Sequence, residues 1–249
     1  MIKTTMLIKK IDYGIDAPDL IKTYLLRAIL LGSLCIAGLL KRTKGTKSIV
    51  FRTINATIGL LGLWWLFAGF HMIFSSLVGK LRARDILLNN LHLEGDEHIL
   101  DVGCGHGLLM IGAAKRVPKG FAVGVDIWSQ VDQGNNSKEV AMKNAQLEGV
   151  ADRVDILNSD MRKMPFAKET FDAVVACMSI HNIELYDGRY KAIQEIVRVL
   201  KIGGQVALLD FRYVEEYANN LRKLGMKDVD ISKRSVLIHP NVRTVTATK

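Results

Sequence analysis

The stretch that decides the fold is His98-Ile-Leu-Asp-Val-Gly-Cys-Gly-His-Gly107. An apolar run of strand character reaches Asp101, and glycines follow at alternate positions, Gly103, Gly105 and Gly107. Glycine permits a tight turn and lets the backbone approach a bound ligand closely, because no side chain intervenes. An apolar helical pattern begins directly afterwards. The order strand, glycine-rich turn and helix predicts the edge of an α/β sheet at which backbone N–H groups face a nucleotide.

Two nucleotide-binding families use turns of this kind. The dinucleotide fingerprint is G-x-G-x-x-G. Counted from Gly103, its last glycine falls on Leu108, and counted from Gly105 it falls on Met110. An Asp ahead of G-x-G-x-G resembles instead motif I of the class I S-adenosylmethionine (SAM)-dependent methyltransferases. A glycine-rich turn that binds no ligand is the alternative to both.

Further stretches extend this resemblance over roughly residues 81–249. Asp126 ends the second strand pattern about 25 residues after Asp101, near the spacing of a ribose-binding acid. The other matching stretches follow in family order and are Asn158-Ser-Asp-Met161, Met164-Pro-Phe166, Phe171–Met178 and Val199-Leu-Lys-Ile-Gly-Gly204. Ile202 stands where the family usually has proline, which leaves the turn glycines intact.

The resemblance implies SAM as the cofactor and assigns residues to it. Asp101 and the glycine turn would hold the methionine end, Asp126 the ribose, and Asp160 with Met161 the adenine. The predicted cofactor-binding residues are Asp101, Gly103, Cys104, Gly105, Gly107, Asp126, Ile127, Asp160, Met161 and Ala176. For Asp126, a helix cap or loop carboxylate is the alternative. No metal site is predicted, since the three cysteines form no C-x-x-C pair.

His181, in Ser179-Ile-His-Asn-Ile183 after the fourth strand pattern, is the candidate catalytic residue. An imidazole that titrates near neutrality suits a general base. A base is needed only if the acceptor must lose a proton, because alignment is the protein's main contribution to methyl transfer. A structural histidine that anchors the loop is the alternative. The polar stretch Trp128–Asn136 is interpreted either as a lid or acceptor loop or as a solvated surface loop.

The first third of the 249-residue chain has a different character. Tyr24–Leu40 is apolar except for Arg27, and Ile54–Val78 has no charged residue. A helix of about 20 apolar residues crosses a bilayer. We therefore expect residues 1–79 to form an N-terminal membrane-anchoring region with two apolar helices, about 24–40 and 54–78. Buried core helices are the alternative, and Pro18 is expected to prevent a helix at its position.

Residues 80–249 are expected to form the SAM-dependent methyltransferase domain. Predicted strands are 98–102, 122–126, 154–158, 171–178, 205–211, 228–232 and 235–247. Predicted helices are about 107–116, 137–148, 188–200 and 214–224, after an amphipathic linker helix at 80–91. This alternation predicts the α/β class, with a doubly wound, mostly parallel seven-stranded sheet of Rossmann-like methyltransferase fold, preceded by the apolar helical hairpin.

The charge and the motifs limit the possible partners and functions of the chain. The net charge is +9, and many of the basic residues flank apolar segments, which favours a membrane surface over nucleic acid as the partner. An equal alternative is that the positive charge only keeps the protein surface solvated. The Asn-Pro-Pro-Tyr motif of base methylation is absent after strand four. We expect methyl transfer to a small or lipophilic, lipid-like acceptor at the membrane, with the catalytic domain in the cytoplasm, where SAM is made. A non-catalytic SAM-binding membrane sensor or scaffold is the alternative, and the glycine spacing disfavours an NAD oxidoreductase.

Overall fold

A computed structural model describes residues 11–41, 46–129 and 134–249. The described chain forms two compact units. Residues 15–79 make one unit, the apolar hairpin, and the remainder makes the other, the α/β domain. Residues 11–14 belong to the α/β domain, although no sequence pattern separates them from the expected anchoring region.

The hairpin consists of helix α1 (Pro18–Leu40) and helix α2 (Thr46–Phe74). Gly38 lies against Asn55 near one end of the pair, and Gly69 lies against Leu25 near the other, so the two helices are antiparallel. The side-chain amide of Asn55 donates to the carbonyl oxygen of Cys35 at 3.0 Å. Small residues at the contact let the two backbones approach closely, as in helix pairs within membranes.

Two details of the hairpin differ from the expectation. Pro18 starts α1 instead of preventing it, because a proline in the first turn gives up an N–H that has no helical partner there. The second helix begins at Thr46, not near residue 54. Polar residues are accommodated in this early part of α2, where the hydroxyl of Thr53 donates to the carbonyl oxygen of Ile49 at 3.1 Å. A π-helical stretch, Ser75–Gly79, follows α2.

The α/β domain contains a seven-stranded sheet with the order β3-β2-β1-β4-β5-β7-β6. Its strands are β1 (His98–Val102), β2 (Phe121–Asp126), β3 (Val154–Asn158), β4 (Phe171–Cys177), β5 (Leu200–Asp210), β6 (Lys227–Ile231) and β7 (Arg243–Thr248). Strands β1 to β5 are parallel, and β7 is antiparallel to both of its neighbours. This arrangement confirms the predicted doubly wound, mostly parallel sheet.

Helices cover both faces of the sheet. They are α3 (Lys80–Asn89), α4 (Leu108–Ala114), α5 (Lys138–Leu147), α6 (Tyr186–Val199) and α7 (Val214–Lys223). One apolar cluster includes Leu88 of α3 and Ile111 of α4, and a second includes Ile196 of α6 and Leu221 of α7. Strands β1 and β4 are buried between these two clusters, which explains their nearly continuous apolar sequences.

The second half of the sheet corrects two predicted boundaries. Strand β5 begins at Leu200, not at residue 205, because Leu200 pairs with Phe171 and Gln205 pairs with Ala173. The predicted turn glycines therefore form a bulge inside β5. The N–H of Gly203 donates to the carbonyl oxygen of Lys249 at 2.9 Å, which holds the bulge in place. The last strand starts at Arg243 instead of residue 235.

Candidate functional site

Three neighbouring strands bring the predicted cofactor residues to one edge of the sheet. Asp101 pairs in register with Gly124, and Asp126 pairs with Asn158. Strands β1, β2 and β3 are parallel and adjacent, so their carboxyl ends lie side by side. Strands β2 and β3 lie on one side of β1, and β4 and β5 lie on the other. The order of the strands therefore reverses between β1 and β4, and such a switch point is where sheets of this kind bind ligands.

The glycine turn is braced against the end of β2. The N–H groups of Gly103 and Cys104 donate to the carbonyl oxygen of Val125 at 2.8 and 3.1 Å. Gly103 has a φ of +75°, and a Cβ atom built there would lie 2.3 Å from the Cβ of Ser179. Both the left-handed backbone and the close approach of Ser179, in the segment after β4, therefore require glycine at this position.

Asp101 is directed towards helix α4. It is buried, and its Oδ2 accepts a hydrogen bond of 2.8 Å from the N–H of Met110. Burial raises the pKa of Asp101 to about 7, the Met110 N–H acts in the opposite direction, and the nearby charge of Asp126 raises it further. This carboxyl group therefore links the glycine turn to helix α4. Its contact with the methionine end of SAM stays a prediction.

Asp126 joins the glycine turn to the segment after β2 through both of its carboxylate oxygens. Its Oδ2 accepts from the N–H of Gly105 at 2.8 Å. Its Oδ1 accepts from the N–H of Trp128 at 2.7 Å and from the amide of Asn136 at 3.3 Å. These three bonds leave acceptor capacity on a carboxylate that is only partly buried. Ile127 follows it with 61% of its surface exposed, which provides an apolar surface suited to adenine.

The remaining predicted cofactor residues have more varied surroundings. Met161 lies at the turn, with its terminal methyl 3.4 Å from the position of a Cβ on Gly103. Asp160 contacts Arg162, whose Nε and guanidinium nitrogens lie 2.5–3.0 Å from its two oxygens and lower its pKa. Ala176 is buried in β4. Arg162 is a competitor for Asp160 that the sequence analysis missed, although its i+2 spacing offered a signal.

Cys104 is the other buried member of the predicted set. Its sulfur would lie 2.7 Å from a Cβ on Gly124, so the thiol packs closely on the middle of β2. Burial raises the pKa of this thiol well above its usual range, and the charges of Asp101 and Asp126 raise it further. The thiol is therefore part of the packing between the turn and β2.

His181 lies in a short 3₁₀ segment after β4, beside the end of β5. Its Nδ1 is 2.9 Å from Oδ1 of the buried Asp210, an ion-pair distance without the alignment of a hydrogen bond. Its ring makes an edge contact with Phe211, with centroids 4.5 Å apart. The hydroxyl of Tyr217 donates to Oδ2 of Asp210 at 3.2 Å. Asp210 and Tyr217 were missed, and the only signal was an acid at the end of an apolar strand.

Arg189 ties the segment after His181 to helix α7. Its Nη1 donates to the carbonyl oxygens of Ile183 and Glu184 at 2.8 and 2.7 Å. Its Nε and Nη2 form a fork with Glu216, each at 2.8 Å, which raises the pKa of the arginine further. A buried arginine of this kind has no distinctive sequence pattern, because its partners are remote in the chain.

A cavity of about 450 Å³ opens beside this histidine cluster. It is lined by Phe211, Tyr213, Val214, Glu215, Arg234, His239, Pro240, Asn241 and Arg243. Phe211 is shared between the cavity wall and the ring contact with His181. Within the described parts of the chain, no group of three or more His, Cys, Asp or Glu side chains is arranged to hold a metal ion.

The described residues fit SAM. Asp126 offers free acceptor capacity for ribose hydroxyls, Ile127 offers an apolar surface beside it, and the glycine turn presents backbone without side chains. The roles assigned to the individual cofactor residues stay predictions.

Comparison with known proteins agrees with this geometry. Residues 100–208 match the family model described as a methyltransferase domain. The chain is 34% identical over 131 residues to sterol 4-C-methyltransferase strm-1 of Caenorhabditis elegans, covering 53% of this chain and 36% of that protein. It is 32% identical over 130 residues to the ubiquinone/menaquinone biosynthesis C-methyltransferase UbiE of Syntrophotalea carbinolica, covering 52% and 50%. These matches span half or less of the relatives' own lengths.

A solved structure supports the fold. A SAM-dependent methyltransferase from Aquifex aeolicus superposes with a TM-score of 0.53 at 20% identity, covering 68% of this chain and 90% of that one. The strand order, the glycine turn after β1 and the acid after β2 agree with this fold. The family model, the curated relatives and the fold all support a class I SAM-dependent methyltransferase domain in this chain.

Proposed function

We propose that this protein transfers a methyl group from SAM to a small lipophilic acceptor at a membrane surface, with its α/β domain in the cytoplasm. The observation that carries the proposal is the glycine turn joined to Asp126 through the Gly105 N–H at 2.8 Å. The alternative is a membrane protein that binds SAM without turnover, and the acceptor assay described below distinguishes the two.

The apolar hairpin supports membrane attachment. Helix α1 and the helical segment 48–89 are long and apolar enough to cross a bilayer. Large apolar side chains on both helices face outward, among them Leu40 with 81% and Phe67 with 66% of their surface exposed. Such a continuous apolar surface is unfavourable in water and favourable in lipid. A membrane tether concentrates the protein near membrane-dissolved acceptors.

The named activities of the relatives support the acceptor class. One relative is named for a sterol and another for ubiquinone and menaquinone biosynthesis. We propose the cavity beside Phe211 as part of the acceptor site, since it adjoins His181 and is partly aromatic. Arg234 and Arg243 line the same cavity, and Arg243 is paired with Glu215.

When bound, SAM supplies an electrophilic methyl group on a sulfonium centre. The chain's own contribution is to align the partners and limit water around them. In the proposed mechanism, Asp126 orients the cofactor through its ribose. Asp210 faces Nδ1 of His181 and leaves Nε2 of the ring to accept a proton from an acceptor that must lose one.

The first test is SAM binding by the full-length protein in detergent, measured by calorimetry for the wild type and Asp126→Ala. Loss of charged hydrogen bonds to the ribose costs about 1.5–3 kcal/mol, which corresponds to about tenfold weaker binding or more. Asp152→Ala is the matched control, since this carboxylate is 72% exposed and pairs with the neighbouring Arg153 at the surface. Equal affinities for all three proteins would contradict the assignment of Asp126.

The second test measures S-adenosylhomocysteine formation with sterols and quinone precursors in vesicles and with water-soluble metabolites. Turnover only with the membrane-dissolved compounds supports the proposal. Turnover only with water-soluble compounds contradicts the lipophilic acceptor. Tight SAM binding without turnover on any acceptor favours the non-catalytic alternative.

A further inference from the structure

A short N-terminal segment is fastened to the outer side of the glycine turn. We call residues 11–14 the strap. The buried side-chain amide of Asn144, on α5, pairs with the backbone of the strap like a neighbouring strand. Its Oδ1 accepts from the N–H of Asp12 at 3.1 Å, and its Nδ2 donates to the carbonyl oxygen of Asp12 at 2.8 Å.

The same amide also reaches the glycine turn. Nδ2 of Asn144 donates to the carbonyl oxygen of His106 at 3.0 Å. The ring of His106 is buried, and its Nδ1 lies 3.1 Å from the carbonyl oxygen of Asp12. Strap, turn and α5 therefore meet at one side chain, which bonds three backbone groups, two of them on Asp12 and one on His106.

Two further contacts fix the ends of the strap. The hydroxyl of Tyr13 donates to Oε1 of Glu148 at 3.0 Å. The ammonium group of Lys80, itself buried, donates to the carbonyl oxygens of Tyr13 and Gly14 at 2.8 and 2.6 Å. A solvated tail would not be held by a buried amide and a buried ammonium group, so the strap is an integral part of the domain.

The strap is linked to the predicted cofactor site through the two glycines that flank His106. Gly105 donates its N–H to Asp126, and Gly107 donates its N–H to Cys104. A shift of His106 would move both glycines and so disturb the carboxylate that we assign to the ribose. We infer that Asn144 is a positioning residue for SAM, and that strap docking and SAM binding strengthen each other.

This inference rests on SAM binding at the glycine turn, and it makes two predictions that a purely structural strap would not meet. Replacing the Asn144 side chain by alanine should weaken SAM binding even under conditions in which the protein is fully folded. Because coupling between two binding events is reciprocal, SAM should in turn slow hydrogen exchange of the strap amides, including the N–H of Asp12.

The experiment compares Asn144→Ala with Asn220→Ala in the full chain in detergent. Asn220 is equally buried but lies on α7 and bonds the hydroxyl of Tyr186, away from the glycine turn. SAM affinity is measured by calorimetry well below the unfolding temperature of either variant. We expect Asn144→Ala to bind SAM at least tenfold more weakly than the wild type, and Asn220→Ala to stay within twofold.

Hydrogen exchange followed by mass spectrometry, with and without SAM, supplies the second readout for the strap peptide of the wild type. Slower exchange on SAM addition supports the inference. Equal SAM affinities for the two variants, or unchanged strap exchange in a wild type that binds SAM, would overturn the strap inference alone. A folded wild type that binds no SAM would overturn both this inference and the proposed function.

Discussion

Replacing Gly103 by alanine tests the geometry of the turn most directly. A left-handed φ of +75° costs a non-glycine residue about 1–2 kcal/mol. The added Cβ would meet the Cβ of Ser179 at 2.3 Å, and overpacking of this kind costs about 1–3 kcal/mol more. We therefore expect Gly103→Ala to lower the free energy of opening of the α/β domain by about 2–5 kcal/mol.

Gly149→Ala is the matched control, because Gly149 has a φ of +70° with nothing within 4 Å of its Cβ position. It carries the backbone cost alone, about 1–2 kcal/mol. Native-state hydrogen exchange of the β1 and β4 amides measures both variants in the full-length protein. Adding Ser179→Gly to Gly103→Ala removes the clash and should recover part of the stability that Gly103→Ala loses beyond Gly149→Ala. The recovery should be smaller by about 1 kcal/mol, because the hydrogen bond from Ser179 Oγ to the carbonyl oxygen of Val102 is also lost. Equal losses in the two single variants would refute the steric argument.

Three further predictions concern buried polar groups, each measured by the same exchange method. With its pKa raised from 3.8 to about 7, Asp101 keeps a proton in the folded state that the unfolded chain loses, so its contribution to stability falls as the pH rises from about 4 to 7 and is constant above. Asp101→Asn should remove that decline, which is on the order of a few kcal/mol, and an unchanged pH profile would contradict the cause given. Arg189→Lys should cost about 1.5–3 kcal/mol through loss of the fork with Glu216. In a Glu216→Gln background, where the fork is already broken, the same substitution should cost much less, and an undiminished cost would show that the fork is not responsible. Tyr217→Phe should cost about 1–3 kcal/mol by leaving Oδ2 of Asp210 without its hydroxyl partner, and a neutral result would show that water replaces it.

The sequence was sufficient for the class of fold because its signals are local. Strands β1 and β3 have the predicted bounds, 98–102 and 154–158, since buried parallel strands are short apolar runs between turn residues. The boundaries that were wrong depend on distant partners. Strand β5 starts early because Leu200 pairs with Phe171, and the glycine bulge is closed by the last residue, Lys249.

The sequence by itself determined that a glycine-rich turn follows β1, that an acid ends β2, and that two long apolar helices precede the domain. Each of these is a pattern of neighbours along the chain. Only the tertiary structure decided that Asp101 faces α4, that Asp210 lies beside His181, and that Asn144 joins the strap to the turn. These contacts join residues from 9 to 132 positions apart. Most of them depend on how the strands and helices pack, which no local pattern of residue types encodes.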